Sequence, residues 1–226
     1  MKALIFPVLV LVTFFSAANP LIAQVIESAE AQADKLIEHG AKYYELQDFK
    51  RAIAAYGQAI KLAPDNSDAY SHRGDTYLEL EEYKLAISDY SNAIRLNPED
   101  ADYYNNRGDA YRITNEHEKA LQDYNNAIRL DGENGDFYNN RAGVYADLKN
   151  YDAALKDLAK AITLTPDEAN SYNDRGDIHF NLKNFKEAIN DYNSAIKLDP
   201  DNAEYYFNRA NVYYALKESN KALIYS

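Results

Sequence analysis

The sequence predicts an all-α protein of stacked helix pairs, and three observations support this prediction. Gly40, Gly74, Gly108 and Gly176 are 34, 34 and 68 residues apart, so the chain repeats itself every 34 residues. Large and small residues recur in each copy at spacings of three and four, which places them on one face of a helix. Most copies end in a proline, which stops a helix. Helix pairs that cannot bury their faces alone stack into an α-solenoid.

A leader precedes the repeats. A lysine near the start is followed by an apolar run over residues 3–15 and then by small residues, which is the pattern of a secretory signal peptide. The run contains Pro7 and is shorter than the roughly 20 residues that span a bilayer. We therefore predict that residues 1–23 are a signal peptide, cleaved after Ala23 or alternatively after Ala18. The mature protein is then exported to the periplasm, the cell envelope or the medium, and it has no membrane span.

The rest of the chain divides at the repeat boundaries. Residues 24–32 are predicted to lengthen the first helix or to form a short cap. The copies are predicted at 33–66, 67–100, 101–134, 135–168 and 169–202, with a partial copy at 203–226 that stops within its second helix. Positions in each copy are numbered from 1 to 34, so that Gly40 is at position 8.

Positions 4, 8 and 11 define the first helix of each copy. Position 8 holds the four glycines and, in the fourth and sixth copies, Ala142 and Ala210. Position 4 holds Leu36, Tyr70, Tyr104, Tyr138, Tyr172 and Tyr206, and position 11 holds Tyr43, Tyr77, Tyr111, Tyr145, His179 and Tyr213. The small residue lets two helices approach closely while the aromatic residues fill the space beside it.

Positions 20, 24 and 27 define the second helix. Position 20 is always alanine, at Ala52, Ala86, Ala120, Ala154, Ala188 and Ala222. Position 24 holds Tyr56, Tyr90, Tyr124, Leu158 and Tyr192, and position 27 holds Ala59, Ala93, Ala127, Ala161 and Ala195. Position 32 ends the helix with Pro64, Pro98, Gly132, Pro166 and Pro200, and position 34 offers helix caps at Asn66, Asp100, Asn134 and Asn202. Most of the 21 tyrosines are thus assigned to the core rather than to a binding surface.

This pattern closely resembles the tetratricopeptide repeat, in which a bulky, a small and an aromatic residue on one helix precede Ala, aromatic, Ala and a terminal Pro. The resemblance covers residues 33–226. It implies a right-handed α-solenoid whose first helices line a concave face. In that family, extended peptides or partner helices commonly bind to this face.

Composition limits the functions that remain. The formal charge of −12 over 226 residues argues against a nucleic-acid binder, which needs a basic face for phosphates. The absence of cysteine excludes disulfide bonds, thiolate metal sites and a cysteine nucleophile. The histidines are far apart in the sequence and no catalytic motif is present. We therefore predict no enzyme activity, no metal and no cofactor.

Asparagine dominates the face that the resemblance makes concave. It occupies positions 5 and 6 of the middle and last copies, at Asn105, Asn106, Asn139, Asn140, Asn173 and Asn208. A side-chain amide both donates and accepts, so such a ladder can hydrogen-bond an extended peptide backbone with little demand on the peptide sequence. The alternative is that these amides tie neighbouring helices to one another.

Acidic and aromatic residues complete the predicted binding site. Asp75, Asp109 and Asp177 lie at position 9, and Tyr44 and Tyr214 lie at position 12. We predict that the partner is a protein or peptide whose bound segment is neutral or cationic, because an acidic groove repels an acidic segment.

A charged pair also repeats along the chain. Position 7 holds Arg73, Arg107, Arg141, Arg175 and Arg209, and position 23 holds Asp89, Asp123, Asp157 and Asp191. The first copy has His39 and Ala55 there and lacks both members. We predict structural ion pairs, formed either within a copy or from one copy to the next. The functional alternative is an anion site lined by the arginines.

The overall prediction is an exported, non-catalytic scaffold that recognises a protein segment on its Asn/Asp-rich face. Two alternatives stay open: a helical accessory part of a larger enzyme or envelope machine, and a structural array that assembles with itself. Self-association is predicted through the uncapped end of the array, around Tyr213, Ala222 and Tyr225.

Overall fold

Helices form all the regular structure in the described part of the chain. A computed structural model describes the backbone of residues 20–225 and, within it, the side chains of residues 25 and 28–217. The helices are α1 (Pro20–Glu45), α2 (Phe49–Leu62), α3 (Ser67–Glu79), α4 (Tyr83–Leu96), α5 (Ala101–Ile113), α6 (His117–Leu130), α7 (Gly135–Asp147), α8 (Tyr151–Leu164), α9 (Ala169–Asn181), α10 (Phe185–Leu198) and α11 (Ala203–Tyr225). Residues 20–225 contain no strand, and the predicted all-α class is confirmed.

The helices belong to two compact units that divide between Pro98 and Glu99. In the first unit α1 packs against α2, α2 against α3, and α3 against α4. In the second unit α5 pairs with α6, α7 with α8 and α9 with α10, while α11 packs against α10. The pairs α1–α2, α3–α4, α5–α6, α7–α8 and α9–α10 each fall within one predicted copy, whereas α2–α3 and α10–α11 join neighbouring copies. The odd-numbered helices are therefore the first helices of their copies, and the even-numbered helices are the second.

A left-handed residue separates the two helices of each complete copy. The residues at position 15 have φ between 56° and 62°, and they are Gln47, Glu81, Asn115, Lys149 and Lys183. After α3 the N–H of Glu82 donates to the carbonyl of Tyr77 and the N–H of Glu81 to that of Leu78. These bonds close the helix end as in a Schellman motif, and the chain turns back so that the second helix packs on the first.

The predicted helix caps are present. The side-chain oxygens of Asn66, Asp100, Asn134 and Asn202 each accept a backbone N–H from the first turn of the following helix. Glu168 does the same at the start of α9. The first helices from α3 onwards thus begin at residues fixed by their own sequence.

A tyrosine ring against a glycine forms the core of most helix pairs. Tyr124 is fully buried, and a Cβ added to Gly108 would lie 2.9 Å from its ring. The same contact joins Tyr56 to Gly40, Tyr90 to Gly74 and Tyr192 to Gly176. The alanines at positions 20 and 27 of the five complete copies are fully buried beside these rings. Large and small side chains interdigitate here, as the repeat pattern predicted.

The helices at the two ends of the described chain are longer than the others. Helix α11 is continuous from Ala203 to Tyr225, so the prediction of a separate second helix in the partial copy was wrong. Position 17, which holds an aromatic residue or histidine in the other copies, is Ser219 in this copy, and it has no apolar ring to anchor a turn to the core. Helix α1 begins at Pro20, so residues 24–32 lengthen the first helix, which was one of the two predicted alternatives.

Some predictions concern residues whose placement is not described. Residues 1–19 of the predicted signal peptide lie outside the described chain, as do the side chains of Ala222 and Tyr225. Within residues 20–225, no helix combines the length and the apolar character that crossing a membrane requires.

Candidate peptide-binding face

A buried ion pair fixes the first helix of most copies to the second. In the third copy Nε and Nη2 of Arg107 donate to the two carboxylate oxygens of Asp123, at 2.7 and 2.8 Å. The same bidentate pair joins Arg73 to Asp89, Arg141 to Asp157 and Arg175 to Asp191. All four pairs form within a copy, which decides between the two arrangements that the sequence allowed.

These arginines are engaged by the protein itself. The guanidinium of Arg141 lies between the rings of Tyr138 and Tyr145, at 5.6 and 6.0 Å from their centroids. Its Nη1 donates to Asn125 Oδ1, and hydrogen bonding to Asp157 raises the pKa of Arg141 further. An anion would have to displace a buried carboxylate, so the geometry does not support the anion site.

In each unit the first-helix face comprises positions 5, 6, 9 and 12 of the odd-numbered helices, and the acids at position 9 accept hydrogen bonds from buried tyrosines. The hydroxyl of Tyr124 donates to Asp109 Oδ1 at 2.6 Å. The same bond joins Tyr90 to Asp75 at 2.8 Å and Tyr192 to Asp177 at 2.6 Å. Burial raises the pKa of Asp109 to about 6, against the opposing effect of the Tyr124 hydrogen bond. These carboxylates therefore satisfy the tyrosine hydroxyls and also give the face its negative charge.

The asparagines link neighbouring copies of the second unit. Asn140 Nδ2 donates to Asn105 Oδ1 at 3.0 Å, and Asn208 Nδ2 donates to Asn173 Oδ1 at 3.0 Å. Asn139 Nδ2 donates to Asp174 Oδ2 at 3.2 Å. In each case position 5 of one copy meets position 6 of the next. The amides thus tie helices to one another, which was the structural alternative for the ladder.

The asparagines of the ladder differ in burial and in how many of their amide atoms form hydrogen bonds. Asn173 is only 6% exposed, and Asn105 also donates to Asn106 and Asp109 at 3.3 and 3.4 Å. Asn140 and Asn208 are half-buried and use only Nδ2 in the links described above. Their Oδ1 atoms remain as acceptors on side chains that are already held in place.

Comparison with known proteins agrees with this geometry. The TPR repeat family profile matches residues 40–81, 74–111, 108–149, 144–183 and 176–217. The chain belongs to the tetratricopeptide repeat family. Proteins of this fold take part in protein–protein interactions. A search of curated protein sequences found no match.

Solved structures share the TPR fold of this chain. MamA is 24% identical with a TM-score of 0.65, over 77% of this chain and 95% of MamA. PilF of Pseudomonas aeruginosa is 19% identical with a TM-score of 0.75, over 88% of this chain and 90% of PilF. YrrB, described as a TPR protein with an unusual peptide-binding site, is 22% identical with a TM-score of 0.64, over 83% of this chain and 97% of YrrB. At these identities the likeness shows the fold alone.

In the first unit the predicted TPR site residues contact their own chain. The Tyr44 hydroxyl donates to Glu79 Oε1 at 3.3 Å, and its ring meets that of Phe49 edge-on. Asp75 lies 3.6 Å from Nδ1 of His72, and this interaction raises the pKa of the histidine. Among the described side chains, no group of histidines and carboxylates is arranged to hold a metal ion.

In the second unit the exposed aromatic residues are concentrated on α11. Tyr214 is 70% exposed and Phe207 is 66% exposed, and they lie at positions 12 and 5 of the partial copy. Tyr206 and Tyr213, one residue before each, are 41% and 53% exposed. Tyr214 is therefore the predicted aromatic site residue that is free to contact a ligand.

A cavity of about 190 Å³ lies where the fourth TPR copy departs from the others. Ala142, Gly143 and Leu158 occupy positions 8, 9 and 24, which hold Gly, Asp and Tyr in the second, third and fifth copies. The cavity is lined by Arg112, Asn139, Ala142, Gly143, Ala146, Leu158, Asp174, Asp177, Ile178 and Asn181. Only Asn139 and Asp177 were predicted as site residues. In the sequence, the only indication of the others is that the fourth copy departs from the repeat pattern at these three positions.

Proposed function

We propose that this TPR chain is a non-catalytic scaffold that holds an extended segment of a partner protein on the first-helix face of its second unit. The observation that carries the proposal is the pair of pre-organised amides at Asn140 and Asn208. Each is held by a hydrogen bond to the preceding copy and keeps an acceptor oxygen. Little conformational entropy is lost when such an amide accepts a backbone N–H from a ligand, which favours binding.

The charge of the face defines the chemistry of the segment. Asp109 and Asp177 lie on it, and the whole chain has a formal charge of −12. A neutral or cationic segment is therefore preferred over an acidic one. The fold of YrrB, whose description names a peptide-binding site, supports this use of a TPR array.

We also propose that the protein acts after export. The support is the leader over residues 1–23, with its lysine, apolar run and small-residue end. Expression of the full chain in a bacterial host, followed by N-terminal sequencing of the protein from the periplasm and medium, tests this. A mature chain that starts at Gln24 or Asn19 is expected, whereas a cytoplasmic product that starts at Met1 would contradict export.

Binding is tested by selecting peptides from a random phage-display library on the described TPR array. The Asn140→Ala/Asn208→Ala variant removes the two held amides. The selected peptides should bind this variant about tenfold more weakly, a loss of roughly 1.4 kcal/mol. Fluorescence anisotropy with the synthetic peptides measures the change.

The Asn125→Ala/Asn193→Ala variant is the matched control. It also removes two asparagines, but these lie on second helices, away from the first-helix face. Asn125 accepts a hydrogen bond from Arg141, and Asn193 accepts one from Arg209. Its peptide affinities should stay within about twofold of the wild type. The proposal fails if both variants bind equally, if the library yields no peptide, or if acidic peptides dominate the selection.

Self-association is a second candidate function because α11 exposes four aromatic side chains. Tyr206, Phe207, Tyr213 and Tyr214 are between 41% and 70% exposed, and a patch of this kind marks an interaction surface. Sedimentation of the protein over a range of concentrations tests it. Oligomers that disappear in a Phe207→Ser/Tyr214→Ser variant would support it, and a monomer at all concentrations would rule it out.

A further inference from the structure

The fourth copy has lost a tyrosine and its acceptor together. In the third copy the Tyr124 ring lies on Gly108 and its hydroxyl donates to Asp109. In the fourth copy the ring is replaced by Leu158, and the acceptor position by Gly143. The shorter Leu158 leaves room for the Cβ of Ala142, and no hydroxyl needs an acceptor. The replacements are therefore compatible with the fold, and they leave a space on the first-helix side.

That space is large enough for a side chain. Its volume is about 190 Å³, whereas a protein cavity of roughly 150 Å³ binds a benzene molecule. It is smaller than the roughly 300 Å³ at which pockets for drug-sized ligands begin. Asn181, at its edge, is exposed to solvent. The dimensions suit one side chain that enters from the surface.

The lining of the cavity combines apolar side chains with hydrogen-bond acceptors. Ala142, Leu158 and Ile178 are almost fully buried and supply apolar side chains. Asn139 Oδ1 is completely buried and has no hydrogen-bond partner, whereas Nδ2 of the same side chain donates to Asp174. A buried acceptor without a partner is costly. It therefore points to a donor that a ligand supplies.

The charges of the lining are negative in sum. Asp174 and Asp177 contribute two carboxylates, and Arg112 contributes one guanidinium. Nε of Arg112 donates at 2.9 Å to Asp147, which lies outside the lining. Burial raises the pKa of both Asp174 and Asp177. A cation in the cavity would offset the unfavourable burial of these two charges.

We propose that this cavity, the lysine pocket, binds a lysine side chain of the partner segment. The four-carbon stem fits against the apolar side chains of the lining, as lysine stems do elsewhere. The ammonium has three donors, which match Asn139 Oδ1 and the carboxylates of Asp174 and Asp177. A planar guanidinium is a rigid fork and adapts less readily to acceptors on three different side chains.

The position of the lysine pocket connects it to a bound segment rather than to a free amine. Asn139 is adjacent to Asn140, and Asp174 is adjacent to Asn173, whose partner is Asn208. The pocket thus lies between the two amides that are proposed to hold the peptide backbone. This inference rests on the proposed function, and it adds one side-chain requirement to it.

The pocket is closed by restoring the pattern of the other copies. The triple variant Ala142→Gly, Gly143→Asp and Leu158→Tyr puts a tyrosine ring and its acceptor where the cavity is. Three other copies contain this combination; in the fourth, a Cβ on Gly143 would lie 2.7 Å from the Arg112 guanidinium, which has to move aside. The Asp174→Asn variant is a second probe that removes one charge and keeps an acceptor. Asn125→Ala/Asn193→Ala again serves as the control.

The first measurement uses the peptides from the phage selection. Replacing the preferred lysine by norleucine, which keeps the stem and removes the charge, should weaken wild-type binding about tenfold or more. The same replacement should change binding to the triple variant by less than about twofold. The lysine-pocket proposal is wrong if the wild type binds the norleucine peptides as tightly as the lysine peptides. It is also wrong if the triple variant still binds the two kinds of peptide with different affinities. The peptide-binding proposal stands in both cases.

The second measurement does not depend on peptides. Titration with n-butylammonium chloride, followed by amide NMR, should shift the Asn139 side-chain signals and the Gly143 backbone signal in the wild type only. An equal concentration of n-butanol should not shift them. No shift in the wild type would overturn the pocket even if peptides bind elsewhere. If n-butylammonium binds as tightly as the lysine peptides, the ligand is a free amine, and the assignment to a partner segment is wrong.

Discussion

Ala142 packs against Leu158 in the fourth copy, at the place where Gly108 packs against the ring of Tyr124 in the third. A Cβ on Gly108 would lie 2.9 Å from the ring, well inside the separation of about 3.5 Å at which carbon atoms attract. The size of the residue at position 8 therefore depends on the size of the residue at position 24. Each of the five complete copies satisfies this condition by itself.

Gly108→Ala should destabilise the protein. The fully buried Tyr124 ring must move, and overpacking of this kind costs about 1–3 kcal/mol, which exceeds the gain of about 1 kcal/mol from replacing glycine within a helix. Adding Tyr124→Leu, as in the fourth copy, should recover part of the loss. Urea unfolding measures both free energies. Gly57→Ala is the control, since its Cβ would meet only Arg73 Nη1 at 3.7 Å, and this variant should be more stable than the wild type.

Asp123→Ala should reduce the free energy of unfolding by about 3 kcal/mol, because it removes the buried carboxylate that accepts two hydrogen bonds from the Arg107 guanidinium. The Asp123 side chain is 4% exposed and that of Arg107 is 19% exposed. Lys119→Ala removes a pair whose side chains are 58% and 40% exposed, and it should reduce the free energy of unfolding far less than Asp123→Ala does, because solvent screens an exposed pair. Equal losses in the two variants would show that the Arg107–Asp123 pair stabilises the fold no more than an exposed ion pair does.

Asp109→Asn should change how stability depends on pH. Burial raises the folded-state pKa of Asp109 from 3.8 to about 6. The folded state therefore binds more protons than the unfolded state between these values, and wild-type stability from this group falls as pH rises through that window. The asparagine variant lacks this decrease. Its free energy of unfolding, relative to that of the wild type, should therefore rise up to about pH 6 and then level off. Urea unfolding at several pH values measures this, and an NMR midpoint for the Asp109 carboxyl near 4 would contradict it.

Lys149→Gly should stabilise the protein. Lys149 is exposed and has a φ of 58°, and a left-handed conformation costs a non-glycine residue roughly 1–2 kcal/mol. Glycine adopts it freely, as at many helix ends. Thermal unfolding should show a higher midpoint for this variant. Lys156→Gly, at an exposed position within α8, should lower the midpoint instead, and a decrease in both variants would argue against the turn as the cause.

The helix pairs could be predicted from the sequence because each repeat position has one dominant physical role. The glycine and tyrosine at positions 8 and 24 contact each other, and the acid or amide at position 34 caps the next helix. Six copies of one pattern also average out the exceptions in any single copy. The partial copy lacks the aromatic residue at position 17, and there the prediction of two helices was wrong.

The candidate site was less predictable because its residues have two roles. Asn105 and Asp109 were recognised by type and position, but their bonds to Asn140 and Tyr124 depend on distances that a sequence does not give. The partners in the Arg–Asp pairs were likewise undecided, since both arrangements use the same residues. Arg112 and Asp174 were not predicted as site residues because a repeat pattern shows what the copies share, whereas the cavity arises where one copy differs.

The Arg–Asp pairs close within single copies, and this has a consequence for how such an array changes in evolution. A block of 34 residues carries both the buried cation and the buried anion, so its duplication or loss never leaves either charge without its partner. If the pairs had formed between copies, every terminal copy would have exposed one unmatched charge. Arrays of different lengths can therefore arise from this repeat without compensating substitutions at the new ends.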